Sequence, residues 1–322
     1  MTAGAPVGST SMPGACMLCA SRASERMAAA DYITGRAFAV RWCRSCGFGT
    51  TEDVPEVLDE FYPRRYRQYE GVTRTTLKSL YAWKIRQWCH GRRPGLALEV
   101  GCGEGWMLAA LRQRGWRVLG NERSLEGGRA AVAVNRIPLF VGGLEAIRID
   151  ARVDLLILFQ VLEHLADAVP TLRRCATVLD SAGTIVVAVP NSASWQARLF
   201  GRHWFHLDVP RHVNHFSPQS LRVAFEQAGL RVERVRFVSF EHDPYGWIQS
   251  TLNALGFKQN LLTKWIMGMH DEAATPLTIV LMLATCTVLA VPSVLLSVLS
   301  WGLGAGALIE VWGAKAQEHQ PA

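Results

Sequence analysis

The fold of this chain is decided by the stretch Leu96-Ala97-Leu98-Glu99-Val100-Gly101-Cys102-Gly103-Glu104-Gly105. An apolar run ends in an acidic residue, three glycines follow at alternate positions, and a helix-like segment, Trp106–Arg114, comes next. This order predicts a buried parallel strand that ends in a tight turn beneath a bound ligand. Glycine suits such a turn because it tolerates a positive φ and presents no Cβ to the ligand.

The glycine spacing and the next acidic residue narrow the class of ligand. A dinucleotide fingerprint requires G-x-G-x-x-G, but this chain has G-x-G-x-G, with Trp106 at the position of the third glycine. Because a pyrophosphate needs an open helix N-terminus, the turn favours a nucleoside without phosphate, such as a sulfonium nucleoside. Glu122 follows the next predicted strand, Trp116–Gly120, where a carboxylate can accept hydrogen bonds from both ribose hydroxyls.

Two further predicted strands extend this series of motifs. Asp154–Phe159 runs into Gln160-Val161-Leu162-Glu163-His164, and Gly183–Val189 is closed by Pro190-Asn191. The ordered series resembles the class I S-adenosylmethionine (SAM)-dependent methyltransferases, in particular the ubiquinone-methyltransferase-like branch with E-V-G-C-G-x-G, V-L-E-H-L and V-P-N motifs. The resemblance covers roughly residues 96 to 240. It implies an α/β fold with a doubly wound, mostly parallel, Rossmann-like sheet and helices on both faces.

The resemblance also implies SAM-dependent methyl transfer and a set of cofactor-binding residues. These residues are Glu99, Gly101, Gly103, Gly105, Glu122 and Gln160. In relatives, an acid three residues before the Glu163-His164 pair helps to bind a divalent metal, whereas this chain has Gln160 there. The missing carboxylate argues against a catalytic metal. His164 then either acts as a general base or orders its loop.

Two C-x-x-C pairs, Cys16/Cys19 and Cys43/Cys46, precede the glycine-rich turn. Four thiolates at this spacing predict a tetrahedral zinc site, with disulfides or a redox pair as the alternatives. A SAM enzyme works in the reducing cytosol, which disfavours disulfides. Because four protein ligands leave no open coordination position, the zinc is expected to be structural.

A polar segment, residues 203–218, follows the strand Gly183–Val189 and contains four histidines. It resembles the D-x-P-R-H-x-x-H-F-S stretch of the same methyltransferase branch, which indicates a substrate loop. Methylation of a hydroxyl needs a base whose pKa lies near the working pH, so His212 and His215 are the candidate bases. Arg211 is a candidate partner for an anionic group on the substrate. Alternatively, each histidine is an ordinary hydrogen-bonded loop residue.

The C-terminal third contains no charged residue or histidine between Ala273 and Ile309. A helix needs about 20 apolar residues to cross a bilayer, so this run predicts a transmembrane helix. Pro292 and the glycines that follow it suggest a helical hairpin as an alternative, and a buried helix of a soluble protein is a third interpretation. The preceding segment, Lys258–Met269, has an apolar face that suits a helix at the membrane interface.

The formal net charge of +7 fits an anionic membrane surface or an acidic substrate. Nucleic acid is not an expected partner, because no long basic run interleaves with aromatic residues. The expected organisation is a disordered tail (1–15), a zinc ribbon (16–50), a helical connector or lid (51–95), a methyltransferase domain (96–250), an interfacial helix (251–272), a membrane segment (273–312) and a polar tail (313–322).

Together these features predict a membrane-anchored SAM-dependent methyltransferase whose catalytic domain faces the cytoplasm. The expected acceptor is a lipid-linked or amphiphilic small molecule: a polyprenyl-linked sugar, a glycolipid or a quinone-like compound. One alternative is a methyltransferase of a soluble sugar or metabolite. The other is a non-catalytic SAM-binding scaffold, although the intact acidic residues Glu99 and Glu122 argue against it.

Overall fold

The computed structural model describes residues 15–62, 70–144, 152–269 and 274–316. The strands are β1 (Ser24–Ala30), β2 (Ala37–Cys43), β3 (Gly49–Thr51), β4 (Leu96–Val100), β5 (Arg117–Glu122), β6 (Leu139–Val141), β7 (Val153–Phe159), β8 (Leu179–Pro190), β9 (Asn214–His215), β10 (Leu230–Arg236) and β11 (Leu308–Lys315). The helices are α1 (Gly71–Trp88), α2 (Trp106–Arg112), α3 (Leu125–Ala133), α4 (Ala168–Val178), α5 (Trp195–Phe200), α6 (Pro218–Gln227), α7 (Asp243–Ala254), α8 (Leu261–Ile266) and α9 (Pro276–Gly302).

The larger sheet has seven strands in the order β10-β11-β8-β7-β4-β5-β6. Strands β8, β7, β4, β5 and β6 run parallel to one another. Helices α4 and α6 cover one face, and α1, α2 and α3 cover the other. The central strands are apolar on both faces because both are covered by helices, as the fully buried Leu155, Leu156 and Leu158 of β7 illustrate. The predicted doubly wound, mostly parallel fold is thus confirmed.

Strand β11 lies between β8 and β10 and runs antiparallel to both. Its residues 308–312 were expected at the end of the membrane segment, and residues 313–315 in the polar tail. They instead complete the catalytic sheet, with Ile309 and Val311 packed on one face and Trp312 on the other. The boundary was misplaced because the uncharged run continues from the helix directly into a buried strand.

A second sheet joins the N-terminal ribbon to the catalytic unit. Its order is β1-β2-β3-β9, and β9 belongs to the polar segment 203–218. The Ser217 hydroxyl donates to the carbonyl oxygen of Cys46 at 3.0 Å. The Asp31 carboxylate of the ribbon lies 2.8 Å from the Arg211 guanidinium, and both side chains are fully buried. The ribbon is therefore part of the wall of the catalytic unit.

The helices before β11 form an additional layer. Helix α8 buries Leu261 and Leu262 of its apolar face against α7 and α9, whereas Trp265 of the same face is exposed. Helix α9 continues without interruption through Pro292 to Gly302, which contradicts the hairpin alternative. Of the described helices, α9 has the length and hydropathy of a membrane span, and only 11% of its most apolar window is buried.

Candidate functional site

The turn between β4 and α2 holds three glycines with positive φ, but they have different surroundings. A Cβ at Gly101 would meet Val161, and a Cβ at Gly105 would meet Ile137 and Ala131. A Cβ at Gly103 would enter open space, with no atom of the described residues within 4 Å. Gly101 and Gly105 are therefore required for packing, whereas Gly103 is the glycine that leaves room for a ligand.

Two carboxylates flank this turn. Glu122, at the end of β5, accepts the backbone N–H of Gly103 at 3.0 Å and that of Arg123 at 3.0 Å. Glu99, at the end of β4, is buried, and among the described residues its Oε2 has no hydrogen-bond partner. Burial, followed by the charge of Glu122, raises the pKa of Glu99 to about 8. A buried carboxylate in a cavity wall fits a cationic ligand, because a nearby positive charge favours its ionised form.

The turn opens into a cavity of about 350 Å³, within the size range of small-molecule sites. One end of the cavity lies beside the glycine turn and is called the donor end from here on. Its lining includes Glu99, Gly101, Cys102, Gly103, Phe159 and Gln160. Its far end comprises Tyr32, Phe205, His206, Asp208, Glu241, His242, Tyr245, Thr263 and Met267. The far end is therefore assembled from the ribbon, the segment 203–218 and the α7–α8 region, and it combines aromatic rings with two imidazoles.

His242 is the better-positioned imidazole of the far end. Its Nδ1 lies 2.9 Å from the Ser239 hydroxyl and 3.6 Å from Glu241 Oε1. Burial opposes the ionisation of Glu241, but the charge of Lys84 holds the pKa of Glu241 far below its usual range. Lys84 Nζ lies 3.2 Å from Glu241 and 3.4 Å from Glu310 of β11. The Nδ1 side of the His242 ring therefore lies beside an ionised carboxylate.

The described lining of the cavity includes none of the three histidines predicted as bases from the sequence. His215 contacts the Thr51 hydroxyl at 2.9 Å, and burial lowers its pKa to about 3. His212 Nδ1 donates to the carbonyl oxygen of His206 at 2.9 Å. His164 Nδ1 donates to the carbonyl oxygen of Arg211 at 2.8 Å. Their catalytic roles stay predictions, and their positions favour support of the substrate loop.

Glu163, His164 and His212 bring ligand atoms within 4.8 Å of one another, which is close enough to hold a metal ion. The rings of His164 and His212 are 4.7 Å apart, and the backbone N–H of Val213 donates to the carbonyl oxygen of Glu163 at 2.8 Å. Sequence reasoning treated Glu163 and His164 without His212, because the fold brings His212 to them. The cluster links the loop after β7 to the segment 203–218.

The four cysteines of the ribbon also converge. Their sulfur atoms lie within 4.8 Å of one another, with 3.6 Å between Cys16 and Cys46 and 3.5 Å between Cys19 and Cys43. These spacings are compatible with four ligands around one tetrahedral ion. Although burial opposes ionisation, the backbone N–H groups of Cys46 and Ser45 help to lower the pKa of the Cys43 thiol to about 7.

Sequence reasoning missed Tyr32, His206, His242 and Tyr245 as cavity residues. The available signal was the polar run Glu241-His242-Asp243 directly before Pro244, at the predicted end of the methyltransferase domain. Two aromatic residues of the expected lid, Tyr66 and Tyr69, lie outside the described residues, as do residues 1–14 of the expected disordered tail. Helix α1 of the connector does reach the cavity, through Leu77 and Tyr81.

A family model described as a methyltransferase domain matches residues 73–235, just over half of the chain. A probable SAM-dependent methyltransferase of Mycolicibacterium smegmatis is 32% identical over 187 residues, covering 56% of this chain and 63% of the relative. A ubiquinone biosynthesis O-methyltransferase of Stutzerimonas stutzeri is 26% identical over 155 residues, which cover 43% of this chain and 65% of that relative. The chain thus spans slightly less than two thirds of the length of these relatives.

Among solved structures, a SAM-dependent methyltransferase of Thermotoga maritima, described as a possible histamine N-methyltransferase, is similar with a TM-score of 0.45. The two share 14% sequence identity, and the match covers 75% of this chain and 89% of that one.

Proposed function

This chain belongs to the methyltransferase-domain family as a class I SAM-dependent methyltransferase, and we propose that it methylates a hydroxyl group of an amphiphilic acceptor. The observation that carries this proposal is a single cavity that joins the Gly103 turn to a chamber of aromatic and imidazole side chains. The name of the S. stutzeri relative, a ubiquinone biosynthesis O-methyltransferase, supports an oxygen acceptor. Soluble sugars and metabolites are the alternative acceptors.

The donor end fits SAM. The open space at Gly103 leaves room for the ligand, and Glu99 offers a carboxylate to a cationic group. Glu122 lies at the end of β5, where a carboxylate holds ribose hydroxyls in this fold. When bound, SAM supplies an electrophilic methyl group. The residues around it bind and orient the donor.

At the acceptor end, we assign His242 as the general base. Its Nδ1 is engaged by Ser239, so Nε2 is the nitrogen that would take the hydroxyl proton while the oxygen becomes methylated. The ionised Glu241 stabilises the resulting imidazolium, and Lys84 holds Glu241 in place. A positioned imidazole suits this proton transfer.

The chamber also supports an amphiphilic acceptor. Rings of Tyr32, Phe205 and Tyr245 line it, and such surfaces bind planar or apolar groups. Tyr245 belongs at the same time to the apolar cluster between α7 and α9. Only one layer of helix therefore separates the acceptor chamber from the exposed apolar surface of α9. A lipid-linked, glycolipid or quinone-like molecule fits this location, on the cytoplasmic face of a membrane.

We also propose that Cys16, Cys19, Cys43 and Cys46 hold one structural zinc ion. The converging sulfur atoms and the closed ligand set support this assignment. Because the ribbon contributes Tyr32 to the chamber, the ion would support the acceptor end of the cavity without taking part in the chemistry.

The test is methyl transfer from isotope-labelled SAM to two matched acceptors, a phenol with a polyprenyl chain and the same phenol without it. Detergent-solubilised full-length protein should methylate the phenolic oxygen of both, with a lower KM for the prenylated compound, as identified by mass spectrometry. A label found only on amines, or on neither phenol in the presence of total membrane lipid, would contradict an oxygen acceptor. Equal KM values would contradict the amphiphilic class.

A further inference from the structure

Helix α9 turns polar side chains toward the protein and apolar side chains outward, which is the reverse of a helix in a water-soluble protein. The side chains that face the protein include Ser293, Ser297 and Ser300, all buried. The outward side chains are large and apolar: Leu277, Val280, Leu281, Val288, Val291, Leu295, Val298 and Leu299. A surface helix in water shows the opposite arrangement, with its apolar stripe toward the core. The outer face of α9 therefore suits an apolar surrounding.

The C-terminal end of α9 is fixed to the catalytic unit. Trp301 Nε1 donates to Asp243 Oδ2 of α7 at 2.7 Å, and the Trp301 ring packs on Phe240 at 4.9 Å. The Asn191 side chain at the end of β8 donates to the carbonyl oxygen of Gly306 at 2.8 Å. The chain then enters the sheet as β11.

The N-terminal half of α9 is fixed to the same unit. Ile279 and Met282 pack with Leu252 of α7 and Leu261 of α8 in one apolar cluster. Helix α7 thus contacts α9 near both of its ends, through Leu252 and through Asp243. A helix of 27 residues is about 40 Å long, enough to cross a bilayer. A crossing would separate the two ends by the whole hydrocarbon layer, yet residues near both ends contact one folded unit.

We propose that α9 lies in the plane of the membrane, embedded in one leaflet by its outer face, and does not cross the bilayer. Both ends of the helix then stay on the side of the catalytic unit, and β11 keeps its place in the sheet. This is the arrangement of a monotopic protein. The proposal does not depend on the chemistry of the acceptor, because it concerns only how the chain meets lipid.

The surroundings of α9 favour lipid over a second copy of the chain as the partner. The exposed face is broad, since it includes positions on both sides of the narrow stripe that contacts α7. Exposed aromatic rings of Phe240 and Trp265 lie on the adjoining segments. Helix α5 is attached nearby, because the backbone N–H of Trp195 donates to the carbonyl oxygen of Ala305. This helix exposes Leu199 next to Arg198. Aromatic residues and cations beside an apolar helix match the headgroup region of an anionic leaflet.

A depth profile distinguishes the two membrane geometries. A nitroxide on a ketone-bearing unnatural residue is placed at single positions from 277 to 299 of the full chain, which leaves the native cysteines intact. The protein is bound to vesicles of phosphatidylcholine and phosphatidylglycerol, and depth is read from the relative access of oxygen and a nickel chelate. In-plane binding predicts a depth that oscillates with the helical period of about 3.6 residues, greatest at the outward positions. A depth that peaks at mid-helix regardless of face would overturn the proposal in favour of a span.

A charge pair with a matched control tests the lipid contact itself. Val288→Lys with Val291→Lys places two cations on the outer face of α9, where both side chains are exposed. Val132→Lys with Val134→Lys adds the same charge to exposed valines around the end of α3. The first pair should weaken vesicle flotation at least about tenfold, and the second should not weaken it. Equal flotation of both pairs, or concentration-dependent dimers that the first pair abolishes without lipid, would refute the proposal. Thermal stabilisation by S-adenosylhomocysteine confirms that each variant is folded. The flotation result does not depend on whether the protein transfers a methyl group.

Discussion

The donor and acceptor ends of the cavity are built in different ways. The donor end is mainly a contiguous backbone turn, Glu99–Gly105, whose geometry follows from β4 and α2. The acceptor end is made of side chains from the ribbon, from the segment 203–218 and from α7 and α8. Cofactor recognition is therefore a local property of one strand and its turn. Acceptor recognition depends on how distant segments pack, so it can change while the donor end stays constant.

The largest effect should separate the two ends through His242. His242→Gln removes the imidazole base but keeps a polar side chain of similar length, so turnover should fall by roughly 10²–10⁴-fold. Affinity for S-adenosylhomocysteine, measured by isothermal titration calorimetry, should stay the same because the donor end is intact. His90→Gln, at a histidine beyond the end of α1, is the control. Loss of cofactor affinity together with turnover would show that His242 supports the fold of the whole cavity.

Gly103 tests the donor end from the opposite direction. Gly103→Ala places a methyl group in the open space of the turn, and cofactor affinity should drop at least about tenfold, or 1.4 kcal/mol. Gly229→Ala is the matched control, because Gly229 also has positive φ and open surroundings but lies between α6 and β10. Both variants carry the same type of backbone strain. Equal cofactor affinity in the two variants would refute the donor assignment.

Glu99 predicts a pH dependence that is confined to the donor end. Its pKa of about 8 means that the carboxyl is neutral below that pH in the unliganded protein. A cationic ligand binds the ionised form, so SAM affinity should fall as the pH drops below 8, by up to about tenfold per unit. The ratio of wild-type to Glu99→Gln affinity removes the titration of SAM itself. The range from about pH 6 to about pH 9 covers both sides of the Glu99 titration. A ratio of affinities that stays constant over this range would contradict the role of Glu99.

Tyr32 and the ribbon predict a smaller effect, limited to the acceptor end. Tyr32 lines the chamber, and the Arg211 guanidinium lies 4.5 Å from the centre of its ring. Tyr32→Ala should raise the acceptor KM by about tenfold or less, with kcat and cofactor affinity nearly unchanged. Tyr62→Ala, at a partly exposed tyrosine outside the described cavity lining, should leave KM unaltered. A change in cofactor affinity without a change in the acceptor KM would show that Tyr32 acts at the donor end of the cavity.

The proposed zinc ion gives the last comparison. Elemental analysis should find about one equivalent of zinc, and its removal by a chelator should raise the acceptor KM several-fold before it affects cofactor binding. Cys43→Ser with Cys46→Ser should lose the metal. Retention of zinc in this double variant would exclude the four-cysteine site.

Local patterns predicted the elements that lie within a short window of sequence. The strand Leu96–Val100 and the glycine turn that follows it were predicted correctly, since both depend on neighbouring residues. Helix α6 also begins with a local signal, because Ser217 caps it with its hydroxyl and Pro218 occupies its first turn. The two C-x-x-C pairs were equally visible because their spacing is short and regular.

The candidate site was predicted only in part, for a physical reason. Of the residues predicted to bind the cofactor, Glu99, Gly101, Gly103 and Gln160 line the cavity, and Glu122 contacts Gly103. The described lining omits the histidines with the strongest sequence motif, His212 and His215, which contact the carbonyl oxygen of His206 and the Thr51 hydroxyl. A motif reports which residues occur together in sequence, but which side of a loop faces a cavity depends on the ribbon that packs against it.

The sequence by itself thus determined the sheet, the cofactor turn and the cysteine cluster, because each is encoded by local periodicity or spacing. Only the tertiary structure decided that β11 pairs with β8 and β10 and that His242 reaches the cavity. The same holds for α9. Its composition shows that it is apolar, but only the pairing of Glu310 with Ala188 shows that the segment after it joins the sheet. Hydropathy reports the solvent that a segment prefers, whereas its path depends on contacts between residues that are far apart in sequence.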